Sequence, residues 1–217
     1  MSYFKLPETT KVERIIPKNS FDAYINAKQK KKFVDLIERI RWANKLSFET
    51  INLSGEEIQE IQVFTLELRA RDGFDEILDI INKAIPYPII FFVEYKEQFL
   101  ISACRKHPHP LNEDNTIIDW VFKSDWIAFN NSPFELRLKK NLDFVYFDLC
   151  RQLARKSEKI KSLAELCEHE QKIKQLTSAI HKLETTISKS KQFNRKVELN
   201  LELQSMKKAL GLLVENG

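Results

Sequence analysis

A heptad repeat of apolar residues in the last third of the chain restricts the fold more than any other feature. The apolar positions alternate steps of three and four in two runs, separated by a polar break at residues 188–194. This spacing predicts two coiled-coil helices joined as an antiparallel hairpin, with its tip at the break. The first run is Ile173, Leu176, Ile180, Leu183 and Ile187, and the second is Leu199, Leu203, Met206, Leu210 and Leu213.

The two arms of this hairpin are expected to differ in length. The first arm is predicted over residues 157–187 and the shorter return arm over about 195–214. Ile160, Leu163 and Leu166 at the base of the first arm would then need a partner other than the return arm. That partner is either the rest of the chain or another protein molecule. Because no Gly or Pro occurs between residues 133 and 211, the first arm is expected to continue the preceding helix without a break.

The upstream residues alternate between helical and strand patterns. Asn26 is expected to cap a helix that runs to about Lys45, with Phe33, Leu36, Ile37, Ile40 and Ala43 as its buried stripe. Strands are predicted at 60–69, 89–94, 98–104, 116–122 and 125–129, a helix at 74–84, and a loop at 105–114. Ser132, Pro133 and Glu135 are expected to start a helix whose apolar face is Leu138, Leu142, Val145, Leu149 and Leu153.

These elements predict an α+β fold. A small mixed sheet of four or five strands packs with helices in a globular domain at residues 1–155. The coiled-coil hairpin follows at 156–217. The 15 Phe residues in the sequence are enough for a real core, whereas only 4 Gly residues argue against a glycine-rich phosphate loop.

The composition also indicates where the protein works. Cys104, Cys150 and Cys167 are far apart and odd in number, which favours reduced thiols and a cytoplasmic location. No apolar run approaches the length of a membrane span, so no membrane partner is expected. The net charge is +4, and residues 131–217 hold 17 Lys and Arg against 11 Asp and Glu. The helical tail is therefore the basic part, and this charge favours a polyanionic or acidic partner at that end.

Two basic clusters are candidates for contact with nucleic acid. The first helix carries Lys30, Lys31 and Lys32, with Lys28, Arg39 and Arg41 nearby, and the hairpin tip carries Lys189, Lys191, Arg195 and Lys196 around Phe193. Each cluster has a simpler interpretation as a solvated helix face or loop. The sequence alone leaves both interpretations open.

Evidence for catalysis or metal binding is weak. His107 and His109, with Cys104 nearby, lack the spacing of a known zinc site and read as a surface loop. Glu94-Tyr95-Lys96 after an apolar strand is similar to the Glu-x-Lys step of restriction-type nucleases, with Glu67 as the one acidic candidate on a neighbouring strand. Glu94 and Lys96 also fit an ordinary charged turn. No catalytic residues and no cofactor are predicted.

Four blocks of the sequence resemble a bacterial family called domain of unknown function four-three-nine-one. They are Ile-Pro-Lys at 16–18, Ile-Glu-Arg-Ile-Arg-Trp-Ala-Asn-Lys-Leu at 37–46, Glu-Ile-Gln-Val-Phe at 60–64 and Ala-Ile-Pro-Tyr-Pro-Ile-Ile-Phe at 84–91. The resemblance implies a setting beside restriction–modification methyltransferases and helicase-like ATPases of phage-defence loci. It implies no catalytic residues.

Three functions remain as hypotheses. The first is a non-enzymatic accessory or adaptor protein of a restriction or phage-defence system. It would assemble with methyltransferase or helicase subunits, or with itself, through the sheet domain and hairpin. The second is a nucleic-acid-binding module that uses the basic tip and the first helix. The third is a divergent metal-dependent nuclease that uses Glu67, Glu94 and Lys96.

Overall fold

The structure, a computed structural model, describes residues 4–129 and 133–216, and their side chains apart from those of 112–115 and 216. Internal contacts divide the chain into two compact units, Met1–Arg155 and Lys156–Gly217, called here the sheet unit and the hairpin unit. The predicted α+β class is confirmed. In the described ranges, no helix has the length and apolar character needed to cross a membrane.

The described residues of the sheet unit form one mixed sheet of seven strands, which is larger than predicted. The strands are β1 Lys11–Ile15, β2 Ile37–Ser47, β3 Glu60–Leu68, β4 Ile89–Tyr95, β5 Gln98–His109, β6 Asn112–Lys123 and β7 Ile127–Ala128. Strands β1 to β6 lie side by side in chain order, and β7 pairs with β5. The β3–β4 pair is parallel, and the other pairs are antiparallel.

The helices of the sheet unit are α1 Ala27–Leu36, α2 Phe48–Ile51, α3 Asp75–Ala84 and α4 Leu142–Leu153. Helix α3 is the crossover that makes β3 and β4 parallel, and it was predicted closely. Helices α1 and α3 and a 3₁₀ segment, Lys18–Tyr24, cover one face of the sheet. The core on this face includes Phe33, Ile37, Ile40, Phe64, Leu66, Phe74, Ile77, Ile81, Phe91 and Val93.

The single helix predicted from Asn26 to Lys45 is wrong. Asn26 caps a helix as expected, accepting a hydrogen bond from Gln29 N at 3.0 Å, but α1 ends at Leu36 and the chain continues as β2. The register of β2 against β3 shifts between Ile37 and Arg39 and again between Trp42 and Asn44. The first shift is a β-bulge, which adds one residue to the strand between Ile37 and Ile40. Both side chains therefore face the same core although they are three residues apart. That spacing imitates a helical stripe.

The loop predicted at 105–114 is also wrong. Strand β5 extends to His109 and β6 begins at Asn112, so the two strands form one long hairpin. Its pairing tolerates Pro108 because the register shifts between Pro108 and His109. The strand predicted at 125–129 is reduced to Ile127–Ala128.

The start predicted for the next helix is displaced. Ser132 lies outside the described residues, and Glu135 and Leu138 precede the helix. Helix α4 begins at Leu142, where the Asn141 side chain caps it by accepting a hydrogen bond from Phe144 N at 2.8 Å. The rest of the predicted apolar face, Leu142, Val145, Leu149 and Leu153, is buried as expected.

Helix α4 lies on the opposite face of the sheet from α1 and α3. It contacts β3, β5 and β6, and its buried residues are not part of the core on the first face. The hydroxyl of Tyr146, fully buried, accepts a hydrogen bond from Cys104 N at 3.1 Å. The same hydroxyl lies 2.8 Å from Cys104 O and 3.2 Å from Ile89 O, to one of which it donates. The last β4–β5 register pair is Ile90 with Ala103, and Ile89 and Cys104 would form the next pair. The hydroxyl bonds to their backbone groups in place of a direct hydrogen bond between the strands.

A second contact ties the start of α4 to the loop before β3. The Asp143 carboxylate accepts hydrogen bonds from the backbone N–H groups of Glu56, Glu57 and Ile58 at 2.6, 3.1 and 2.9 Å. The loop passes so close that a Cβ at Gly55 would meet Ile58 O at 2.1 Å. A glycine is therefore required at this position.

The continuous helix predicted from residue 133 into the tail is wrong. Helix α4 ends at Leu153, and Arg155 adopts a left-handed conformation with φ of 55°. The hairpin unit consists of α5 Leu163–Lys189 and α6 Phe193–Asn216. The Ser162 side chain caps α5, accepting a hydrogen bond from Glu165 N at 3.1 Å. The left-handed residue ends α4 and the Ser162 cap starts a new helix, although the segment between them contains no Gly or Pro.

Replacing Tyr146 by Phe is predicted to lower the free energy of unfolding by about 1–3 kcal/mol, because Cys104 N would lose its partner in a buried site. Urea denaturation of the full chain measures this change. The matched control is Tyr24→Phe at an exposed tyrosine, which should change stability by less than about 0.5 kcal/mol. Equal effects of the two substitutions would contradict the structural role given to Tyr146.

Lys106 is predicted to make stability depend on alkaline pH. Its ammonium donates to Asn82 O at 2.7 Å and Ile85 O at 2.6 Å, and burial lowers its pKa from 10.5 to about 8. At pH values between these two pKa values, the unfolded chain binds more protons than the folded chain. The free energy of unfolding of the native protein should therefore rise, relative to Lys106→Met, by up to about 3 kcal/mol over this window. Paired urea titrations across the window test this, and a constant difference would disprove it.

Candidate docking surface on the hairpin unit

Helices α5 and α6 pack against each other along the predicted apolar positions. Ile180 and Leu199 are buried, and Ile173, Leu176, Leu183, Ile187, Leu203, Met206, Leu210 and Leu213 are partly buried. Lys207 Nζ and Glu184 Oε1 form an ion pair at 2.7 Å, and this pairing holds the pKa of Glu184 below its usual value. At the other end, His169 Nε2 lies 2.9 Å from Leu213 O.

The predicted difference in arm length is wrong. Helix α5 has 27 residues and α6 has 24, so the return arm is nearly as long as the first. Ile160 and Leu166 are buried within this single chain and Leu163 is partly buried. The open apolar stripe that motivated a partner at the base is therefore missing. Partner binding through these three residues stays a prediction, but the exposed stripe on which it was based is not observed.

An open apolar stripe occurs instead near the hairpin tip. Phe193, Val197 and Leu201 follow one another at a spacing of four on α6, and their exposed fractions are 79, 45 and 63%. Residues four apart lie on one helix face, so the three side chains form one row, called here the tip stripe. The heptad positions that pack on α5 do not include any of the three. Val197 and Leu201 were not predicted as part of a site, although their spacing from Phe193 is visible in the sequence.

The four basic residues predicted at the tip lie together at the end of α5 and the start of α6. Lys189 and Lys191 are exposed and Lys196 is partly buried, and none of the three forms an ion pair with another described residue. Arg195 Nη1 pairs with Glu198 Oε2 at 3.0 Å. Uncompensated positive charge therefore borders the start of the tip stripe.

The basic residues predicted around the first helix do not form one surface. Lys30 pairs with Asp22 and Lys32 with Glu76. Hydrogen bonds from Lys32 and Gln29 lower the pKa of Glu76. Lys31 is exposed and has no ion pair with a described residue.

Arg39 and Arg41, predicted on the same helix, lie on β2 instead. Their guanidinium groups approach Glu67 at 3.3 and 3.6 Å. The predicted nucleic-acid surface of the first helix is therefore divided between two elements and largely neutralised by acidic side chains.

The residues of the nuclease hypothesis are only partly assembled. Glu67 and Glu94 are register partners on parallel strands β3 and β4, so their side chains are neighbours on one face. Arg39 and Arg41 already pair with the Glu67 carboxylate. Lys96 lies in the β4–β5 turn with φ of 54°, and its ammonium lies 5.2 Å from the Tyr95 ring centroid. Among the described residues, no group of three or more His, Cys, Asp or Glu is arranged to hold a metal ion.

The histidines of the predicted surface loop have local contacts within the β5–β6 hairpin. His107 Nδ1 lies 3.1 Å from Asp119 Oδ1, and His109 Nδ1 accepts a hydrogen bond from Leu111 N at 3.1 Å. Cys104 is buried and is not part of a disulfide. The three side chains therefore do not converge on a common point.

Comparison with known proteins identifies a family but no characterised relative. No curated protein and no solved structure matches the chain significantly. The family model described as Domain of unknown function (DUF4391) matches residues 4–210, and this range contains the sheet, all of α5, most of α6 and the tip stripe. The chain therefore belongs to this family, the domain of unknown function DUF4391.

Proposed function

We propose that the protein is a non-enzymatic adaptor that docks onto a larger protein through the tip of its hairpin unit. The observation that supports this proposal is the tip stripe. Single exposed apolar side chains are normal on a protein surface, but a row of three on one helix face is typical of a binding site. The packing of α5 against α6 uses the opposite side of α6 and leaves this row open.

The side chains indicate the chemistry of the partner. Covering Phe193, Val197 and Leu201 would contribute about 1.5–3 kcal/mol for each side chain, reduced by the area that each already buries. Lys189 and Lys191 beside the stripe favour acidic residues at the rim of the partner's site. The partner surface is therefore an apolar groove with an acidic rim, and the tip enters it as an amphipathic helix enters a groove.

The family resemblance gives this partner a setting. We infer that the adaptor acts in a restriction or phage-defence complex and that the groove belongs to a methyltransferase or helicase-like subunit. A cytoplasmic location fits this proposal, because none of Cys104, Cys150 and Cys167 is part of a disulfide. A second copy of the chain is a weaker candidate for the partner, because both copies would bring the same lysines to the contact.

A protein partner explains the tip better than DNA does. Only Lys189, Lys191 and Lys196 carry unpaired positive charge there, which would neutralise few phosphates. Glu202 is exposed on α6 and would repel a phosphate backbone. The apolar side chains of the tip stripe would also make no favourable contact with phosphate groups.

Replacing Phe193, Val197 and Leu201 together by Ser is predicted to abolish partner binding without unfolding the protein, because all three side chains are exposed. The measurement is affinity purification of the tagged full chain from its native host, with quantitative mass spectrometry. The expected result is loss of one stoichiometric defence-complex subunit. The matched control replaces Ile15, Val34 and Phe48, which are 62, 50 and 59% exposed on the sheet unit, by Ser. This control should retain the subunit.

Two results would overturn the proposal. One is that the tip and control variants recover the same proteins as the native chain. The other is duplex DNA binding that falls steeply with salt, survives the Ser substitutions at the stripe and disappears when Lys189, Lys191 and Lys196 become Ala. That outcome would assign the tip to nucleic acid.

A further inference from the structure

A cavity of about 270 Å³ lies on the sheet face opposite α1 and α3. Its floor is formed by Val63 and Thr65 of β3 and Phe92 of β4, which alternate with the core residues of the other face. Phe4 contributes to its wall, with its ring edge-to-face against Phe92 at a centroid distance of 5.0 Å. Arg41 also lines the cavity. The site is thus apolar on one side and charged on the other.

The Arg41 guanidinium forms ion pairs with two acidic neighbours, and both are longer than a hydrogen bond. Its Nη1 lies 3.8 Å from Glu13 Oε2, and its Nη2 lies 3.6 Å from Glu67 Oε1. Charge-assisted hydrogen bonds are shorter, at about 2.7–2.9 Å. Among the described residues, no hydrogen bond from this guanidinium is present. A half-buried group with five N–H donors is therefore available to a ligand in the cavity.

Glu13 is held in a costly conformation at the cavity edge. Its φ is 52°, a left-handed value that a residue with a Cβ seldom adopts. It lies where the register of β1 against β2 shifts, between Lys11 and Arg14. This bulge interrupts the pairing of the two strands beside the cavity and brings the Glu13 carboxylate toward Arg41. Strained residues of this kind cluster at ligand sites.

The charged residues that line the cavity indicate which kind of ligand would fit it. Lys11, Arg41 and Glu13 all line the cavity, so both signs of charge border one space. A simple anion would face Glu13, and a simple cation would face Lys11 and Arg41. A molecule with separated charges satisfies both sides, and an apolar remainder can lie against Phe92.

We propose that this cavity binds a small zwitterion of the amino-acid class. The carboxylate of the ligand pairs with the Arg41 guanidinium, which suits a two-pronged contact with a carboxylate. The ammonium pairs with Glu13, and the side chain lies over Val63 and Phe92. The volume is close to the lower limit of ordinary ligand pockets, about 300 Å³, so the ligand has the size of a free amino acid rather than a nucleotide.

The test is a thermal-shift screen of the full chain with the free amino acids, followed by calorimetric titration. For the best apolar amino acid, two matched probes are added, one without the amino group and one without the carboxylate. For leucine these are isocaproate and isoamylamine. The zwitterion is expected to bind saturably and at least about tenfold more tightly than either probe, because each probe leaves one charged contact unmade.

Arg41→Met and Glu13→Gln should each weaken binding of the zwitterion by about tenfold or more. The control is Arg14→Met, which removes the same charge from an exposed residue that does not line the cavity. Circular dichroism and urea denaturation show that each variant is folded. The proposal is overturned if no amino acid binds, if isocaproate or isoamylamine binds as tightly as the zwitterion, or if folded Arg41→Met and Glu13→Gln both bind like the native chain.

Discussion

One buried hydroxyl connects the two layers of the sheet unit. The Tyr146 hydroxyl reaches from α4 to backbone groups of Ile89 and Cys104, where the ladder between β4 and β5 ends. These backbone groups are buried and cannot be satisfied by solvent, so α4 must stay in register with the sheet. The Asp143 carboxylate fixes the start of the same helix by holding three N–H groups of the loop before β3. Position and direction of α4 follow from these two polar contacts.

The two units differ in how they use their charges. The sheet unit, Met1–Arg155, contains 23 Lys and Arg and 23 Asp and Glu, and many of these pair across neighbouring elements. The hairpin unit, Lys156–Gly217, contains 12 against 8 and accounts for the whole net charge of +4. Lys189, Lys191 and Lys196 and the tip stripe coincide at one end of this unit. The proposed docking role depends on that coincidence rather than on either feature alone.

Periodic patterns predicted the elements whose residues follow one regular repeat. The heptad positions of α5 and α6 pack as predicted, although the bounds of the two arms differ from the prediction, and strand β4 and helix α3 were predicted to within one residue at each end. Strand β2 was predicted as helix because the bulge between Ile37 and Arg39 sets Ile37 and Ile40 three residues apart on one face. The end of the β5–β6 hairpin, residues 105–114, was predicted as a loop because its prolines and histidines have poor strand propensity. Pairing along the whole hairpin outweighs that propensity.

The candidate sites depend on contacts that the sequence does not encode locally. The lysines of α1 resemble those of the tip, yet Asp22 and Glu76 neutralise Lys30 and Lys32 from distant positions in the chain. The similar lengths of α5 and α6 follow from a cap at Ser162 and a left-handed Arg155, which no apolar pattern marks. The strain at Glu13 is a backbone property that only the folded bulge creates.

Site-specific photo-crosslinking from Val197 in living host cells tests whether the tip stripe docks onto a larger protein. A benzophenone side chain at this position extends from the middle of the tip stripe. The same side chain at Lys174, an exposed residue of α5, is the control. The account predicts a crosslink from position 197, and none from position 174, to an acidic and apolar peptide of one larger protein. Crosslinks to DNA, or equal crosslinking from both positions, would contradict it.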